Sequence, residues 1–133
     1  ALPIFDNCRV AAGAKLNHLL FIKTNERRGG YVQNIYVSNT TSGKIDQGIV
    51  GIETDVLYQW RDLVPTIERK LTPIKNIYLD NVKATNVKFI SRVLGQKELP
   101  VENVVLTNVY ADTIQGANHI HQNILNFTLE NKL

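Results

Sequence analysis

A six-residue phrase recurs down this chain and constrains its fold more than any other feature. Asn34-Ile35-Tyr36-Val37-Ser38-Asn39 returns as Asn76-Ile77-Tyr78-Leu79-Asp80-Asn81 and as Asn103-Val104-Val105-Leu106-Thr107-Asn108. A looser copy is Asn123-Ile124-Leu125-Asn126-Phe127, and a frayed one, Phe5-Asp6-Asn7-Cys8-Arg9-Val10, lies near the start of the chain. Recurrence at intervals of a few tens of residues marks a solenoid, in which each unit buries its apolar face only by stacking on the next.

Each copy alternates apolar and polar residues, the period of a half-buried strand. Ile35 and Val37 share one face, as do Ile77 and Leu79, and Val104 and Leu106, while Tyr36, Tyr78 and Val105 take the other. The copies begin at residues 34, 76, 103 and 123, with gaps of 42, 27 and 20. A coil of roughly 21 residues fits, the first gap then covering two turns. Ile49-Val50-Gly51-Ile52 and Val87-Lys88-Phe89-Ile90-Ser91-Arg92-Val93 supply further strands, giving two or three per coil. Parallel strands stacked in this way lie about 4.8 Å apart. The flanking Asn residues suit the bends between strands. Asn tolerates left-handed backbone, and its side chain bonds nearby backbone or a stacked neighbour.

The expected fold is all-β, a right-handed parallel β-helix forming one domain over residues 1–133. A leucine-rich repeat would need a denser Leu pattern and a helix or turn in every unit. An antiparallel sandwich would show hairpin turns such as Asn-Gly, and the chain has none. The segment from about 56 to 73, containing Tyr58-Gln59-Trp60-Arg61-Asp62-Leu63-Val64-Pro65, interrupts the repeat and reads as a long loop. Such loops commonly wall a binding site on one face of a solenoid.

An apolar fraction of 44% is ordinary for a globular domain. No apolar run is long enough to span a bilayer as a helix, and no secretory signal is visible at the front. The absence of Met leads us to expect a chain processed or excerpted at its front. The net charge is +3, with one basic cluster at Lys23, Arg27 and Arg28. That is too little for a nucleic-acid stripe but suits a ligand bearing carboxylates. The single Cys8 excludes an internal disulfide and is expected to be a small buried residue. His119-Ile120-His121 puts two imidazoles on one strand face, but a metal needs three or four ligands and no third is evident, so these histidines read as structural or surface residues. No cofactor is implied. Asn39-Thr40-Thr41 and Asn126-Phe127-Thr128 match the glycosylation acceptor pattern, a frequent chance match.

The most specific segment is Leu20-Phe21-Ile22-Lys23-Thr24-Asn25-Glu26-Arg27-Arg28-Gly29-Gly30-Tyr31-Val32-Gln33-Asn34-Ile35. Lys23 ends a strand before a polar turn and two glycines. A cation there either is a solvated surface charge or holds a carboxylate by a charge-assisted hydrogen bond. The segment resembles the Arg-Ile-Lys region of polygalacturonases, glycoside hydrolase family 28, which runs into a Gly-Gly turn and a Val-x-Asn-Ile strand. Asn7-Cys8 upstream, and Leu71-Thr72-Pro73-Ile74-Lys75-Asn76-Ile77 and Leu99-Pro100-Val101-Glu102-Asn103-Val104 downstream, extend the resemblance in order along the chain. It implies a right-handed parallel β-helix and a galacturonate polysaccharide as substrate. It implies that Lys23 contacts the sugar carboxylate at the cleavage point, and a secreted or periplasmic location.

Two departures qualify the resemblance. Phe21 stands where the family has Arg, and an apolar ring does not replace a guanidinium fork. That points to a substituted pectin, a rhamnogalacturonan or a chain-end substrate. Arg28 either compensates or braces the turn. The family's Asn-Thr-Asp, Asp-Asp and Gly-His-Gly motifs also lie outside this sequence. The chain is therefore expected to supply one wall of a substrate cleft without the acid and base of inverting hydrolysis. Glu53 and Asp55 form a local carboxylate pair but read as a polar strand end, and Tyr58 and Trp60 either stack on a sugar or anchor the loop. The alternatives are an acidic-polysaccharide binding module gripping through Lys23, Arg27 and Arg28, and a structural piece completed by an N-terminal partner chain or by self-association through an exposed coil end.

Overall fold

The structure, a computed structural model, describes residues 3–11, 13–27, 29–54 and 70–132. Among them no helix occurs, and hence none long and apolar enough to cross a membrane. The strands are β1 (Ile4–Asp6), β2 (His18–Lys23), β3 (Val32–Thr41), β4 (Gly48–Glu53), β5 (Ile74–Val87), β6 (Phe89–Leu94), β7 (Val101–Ile114), β8 (His119–Gln122) and β9 (Ile124–Glu130). Every pairing between them is parallel. Odd-numbered strands form a wide sheet in the order β1-β3-β5-β7-β9, and even-numbered ones a narrow sheet in the order β2-β4-β6-β8. The chain thus visits each sheet once per coil, and the fold is a parallel β-helix.

The corners follow from the asparagines. All nine non-glycine residues with positive φ among the described residues are Asn: 7, 34, 39, 76, 81, 103, 108, 123 and 126. Each left-handed residue shifts the strand's in-out alternation by one. In β5 the buried residues run Ile74, then Ile77 and Leu79, then Val82 and Ala84, with Val87 at the end of the strand, and the phase resets at Asn76 and again at Asn81. Without those resets every residue beyond a corner would present its polar neighbours to the core. The inward aliphatics stack rung on rung, as in Ile35-Ile77-Val104 and Val37-Leu79-Leu106. Each fully buried member contributes roughly 1.5–3 kcal/mol.

Register amends three details of the repeat. The 42-residue step from Asn34 to Asn76 is one coil rather than two, because Val32 pairs directly with Ile74 and Ile35 with Ile77. That coil holds β4 and the segment 55–69, which lies outside the described residues together with Tyr58 and Trp60. The last copy begins at Asn126, not Asn123: Val104 pairs with Phe127 and Leu106 with Leu129. Asn126-Phe127-Thr128-Leu129-Glu130-Asn131 is therefore the true counterpart of residues 103–108, and Asn123 instead turns the chain into β9. In the opening copy Asp6 pairs with Ser38, so Asn7 matches Asn39 rather than Asn34. Cys8 is exposed, not buried, and its thiol faces the Asp6 carbonyl at 3.6 Å.

Side-chain ladders lock the coils. Asn103 donates to Asn76 at 3.0 Å and Asn76 to Asn34 at 2.9 Å, and on the second corner Asn81 donates to Asn39 at 2.8 Å. Outside, the Tyr36 and Tyr78 rings stack at 4.8 Å, one strand spacing, and Asn103 also donates to the Tyr78 hydroxyl. Hydrogen bonds from Ser38 and Asn39 hold the exposed Asp6 carboxyl below its usual range.

Asn76 has both a left-handed backbone and two ladder bonds, so two variants separate the contributions. Asn76→Gly keeps the backbone and loses the ladder; Asn76→Ala loses both. We expect both to lower the urea midpoint, with Ala the worse by about 1 kcal/mol from the left-handed penalty offset by glycine's entropy.

Candidate functional site on the narrow sheet

The outer face of the narrow sheet gathers the chain's chemistry. Along one rung lie Lys23, Glu53, Leu94 and Gln122; two residues back lie Phe21, Gly51, Arg92 and Ile120. The residues that follow β2, β4 and β6 all leave by the same edge of this sheet, because the strands are parallel. The Lys23 end is tied down by backbone bonds, Thr24 N–H to Glu53 C=O at 2.9 Å, Lys70 N–H to Glu26 C=O and Gly29 N–H to Lys70 C=O at 2.7 Å each. Gly29 and Gly30 both take positive φ, as a corner there requires. Thr72 donates to the Gly29 carbonyl at 2.7 Å.

Lys23 is exposed at the end of β2, directly across from Glu53. Arg28 and Tyr58, the other two residues proposed from sequence, lie outside the described residues, as does Asp55. Glu53 is engaged by a residue that sequence reasoning left out: Arg92 Nη1 lies 3.2 Å from Glu53 Oε1, with both side chains partly exposed. Thirty-nine residues separate the two, so only the register reveals the pair. Both border a hollow of about 520 Å³, predominantly polar, at the ends of β4 and β6. Its floor is fixed by Thr54 donating to the Leu94 carbonyl, Gln96 to the Thr54 carbonyl and Asn123 to the Gly95 carbonyl.

Phe21, which stands in place of an arginine, packs rather than binds charge. Its ring stacks on His18 with centroids 4.4 Å apart and 14° between planes. The two rings lie over Gly51, where a Cβ would sit 2.6 Å from His18 and 2.8 Å from Phe21. Gly51 thus leaves the room for an aromatic pair on the outer face. Arg92 flanks Gly51 on the opposite side, two strands from the pair, and Phe21 keeps 41% of its surface exposed.

The other two histidines face the core of the last coil. Ser91 Oγ, fully buried, lies 2.7 Å from His119 Nδ1 and 2.8 Å from His121 Nε2, and both rings pack on Phe127. One hydroxyl has one proton, so it donates to one ring and accepts from the other. These nitrogens are turned to Ser91, and among the described residues no group of three or more His, Cys, Asp or Glu is placed to hold a metal. Burial lowers the pKa of all three histidines; for His18 the Glu53 carboxylate opposes this and Arg92 adds to it, and for His121 the neighbouring His119 adds to it.

A parallel β-helix with a polar hollow and a cation on one outer sheet defines the class. No protein-family model matches the chain and no curated protein sequence matches it. Among solved structures, it is similar to a hyperthermoactive exopolygalacturonase from Thermotoga maritima, with a TM-score of 0.68 and 19% identity. The match covers 96% of this chain but 26% of that one, so the chain spans about a quarter of that enzyme's length. At this identity the likeness establishes the fold.

The histidines give a pH dependence with a definite sign. Folding disfavours the imidazolium, so the folded pKa values lie below the ordinary 6.5. Their contribution is complete above about pH 6.5 and is lost as pH falls through that value and then through the folded ones. We expect the thermal midpoint to drop between pH 7.5 and 5, and His119→Phe to flatten that drop. A midpoint rising on acidification would contradict the arrangement.

Proposed function

We propose that this chain is the C-terminal part of a polygalacturonase-like, pectin-degrading glycoside hydrolase and forms one wall of its substrate cleft. Lys23 meets the carboxylate of a galacturonate unit there, with Arg28 and Tyr58 as further contacts. The supporting observation is the position of Lys23: an exposed ammonium at the end of an outer strand, on a fold similar to an exopolygalacturonase. A charge-assisted bond from ammonium to carboxylate is the interaction such a position offers.

The chain by itself is inert in this reading. Inverting hydrolysis needs an acid and a base on opposite sides of the bond, about 6.5–9.5 Å apart. Glu53 already has a partner in Arg92, which suits a binding residue better than a general acid. The chain then acts as an acidic-polysaccharide grip within a larger secreted or periplasmic enzyme. Exposed apolar residues at its two ends, Ile4 and Phe5 at one and Leu125 and Leu129 at the other, offer surfaces on which an N-terminal partner chain or a second copy would stack.

Binding of trigalacturonate, followed by calorimetry, tests the reading. Lys23→Ala should weaken it about tenfold at low salt. Raising salt to about 0.5 M should weaken the parent protein and leave the variant little changed. No reducing ends should be released from polygalacturonate at high protein concentration; turnover lost in Glu53→Gln would overturn the claim of inertness.

A further inference from the structure

We propose that the edge joining the end of the wide sheet to the start of the narrow one is a docking surface for a carboxylated polysaccharide, held as a polymer whichever sugar carries the charge. This edge is separate from the Lys23 position and does not depend on that reading. On each coil it begins at the second asparagine corner, Asn7, Asn39, Asn81 or Asn108, and ends where the narrow-sheet strand starts, at His18, Gly48, Phe89 or His119. Lys23 stands at the other end of β2, about 16 Å from His18 along the strand.

The net charge of the chain is concentrated on this edge. The whole sequence has fifteen Lys and Arg and twelve Asp and Glu. Five of those cations, Arg9, Lys15, Lys44, Lys83 and Lys88, and two of those anions, Asp46 and Asp112, fall in the four stretches, which leaves ten of each sign in the rest of the sequence. All seven residues are exposed, and among the described residues none of the five cations is in an ion pair. Along the chain they are scattered; stacking gathers them. Arg9 bridges to Thr41 and Thr41 pairs with Lys83, so these two cations stand two rungs apart, about 10 Å. Lys44 bridges to Asn86, two residues before Lys88. Lys15 and Lys44, with Asp46, border a hollow of about 370 Å³ whose other lining, among the described residues, is Gly, Ala and Val. Such spacings are comparable with the Debye length, about 8 Å at physiological ionic strength, so the like charges repel one another and a bound polyanion relieves them.

The occupant follows from what accompanies the charges. Duplex nucleic acid carries a charge every ~1.7 Å and is held by about 6–10 phosphate contacts, more than this edge supplies. Stable attachment to a bilayer needs an apolar insertion besides basic residues, and single-stranded nucleic acid needs aromatic platforms. None of the exposed large hydrophobic residues lies in the four stretches. Thr41, Thr85 and Gln115 are exposed among the cations and offer two hydroxyls and an amide. A chain of sugars with a carboxylate on each unit and hydroxyls between matches that mixture. Four of the five cations are lysines, point charges without the fixed fork of a guanidinium, so the surface reads charge rather than the shape of one sugar.

Binding of the whole chain to immobilised alginate, whose uronate units are not galacturonate, tests this. Alginate should be bound and neutral dextran should not. Affinity for alginate should fall about tenfold between 50 and 200 mM salt. The triple substitution Lys44→Gln, Lys83→Gln and Lys88→Gln removes exposed charges only, so the fold should be kept, checked by circular dichroism. It should weaken alginate by about tenfold or more, while Lys23→Ala should change it by less than about twofold. A parent protein that ignores alginate, or alginate binding untouched by the triple substitution, would overturn the proposal. Tighter binding to duplex DNA or to phosphatidylglycerol vesicles than to alginate would overturn the choice of partner and the proposal with it. None of these outcomes bears on the Lys23 reading, which stands or falls with the effect of Lys23→Ala on trigalacturonate.

Discussion

Stacking in register is the constraint on which the rest of the molecule depends. A coil of this helix has too little apolar surface to hold itself; it is stable because its aliphatics meet those of the coils above and below. Ile35, Ile77 and Val104 form one such column, and Val37, Leu79 and Leu106 the next. A column survives only if every coil turns its corners at the same rung. Asn performs this at nine places, because its short polar side chain lowers the cost of left-handed backbone and can bond the Asn one coil away. The corner and the clamp are one residue type, so backbone geometry and lateral cohesion are specified together.

That rigidity creates the binding face. Outward side chains at equivalent rungs come from residues tens of positions apart and are held at strand spacing with little freedom to drift. Glu53 and Arg92 meet because β4 and β6 pair, and Lys23 stands beside Glu53 because β2 and β4 pair. Strands also tolerate insertions where they leave the sheet, since an added segment disturbs no column. The long step between β4 and β5 illustrates this: 42 residues separate Asn34 from Asn76, yet the pair hydrogen-bonds like its neighbour 27 residues on.

The same logic explains the polar group inside the last coil. Ser91, His119 and His121 occupy inward rungs that hold aliphatics elsewhere, and they satisfy one another rather than reaching for water. Both rings pack against Phe127. The outer face shows the converse: Phe21 and His18 stack in the open because Gly51 beneath them has no side chain.

The repeat alone determined the fold class, the inward and outward residues of the three strong copies, and the asparagine corners, since alternation and residue chemistry act locally. Sequence also drew attention to Lys23 and to the histidine pair, but not to the Ser91 hydroxyl that lies against both rings. It misplaced the coil length, the last copy's start and Cys8, because register is a long-range choice: a loop of any length fits between two rungs, and only the match of whole apolar columns decides which rung comes next. Arg92, its bond to Glu53, the stacking of Phe21 on His18 and the hollow beside Lys23 were decided by tertiary structure alone. Each joins residues on different strands or reflects a missing Cβ on a neighbouring one, and nothing along the chain ties those partners together.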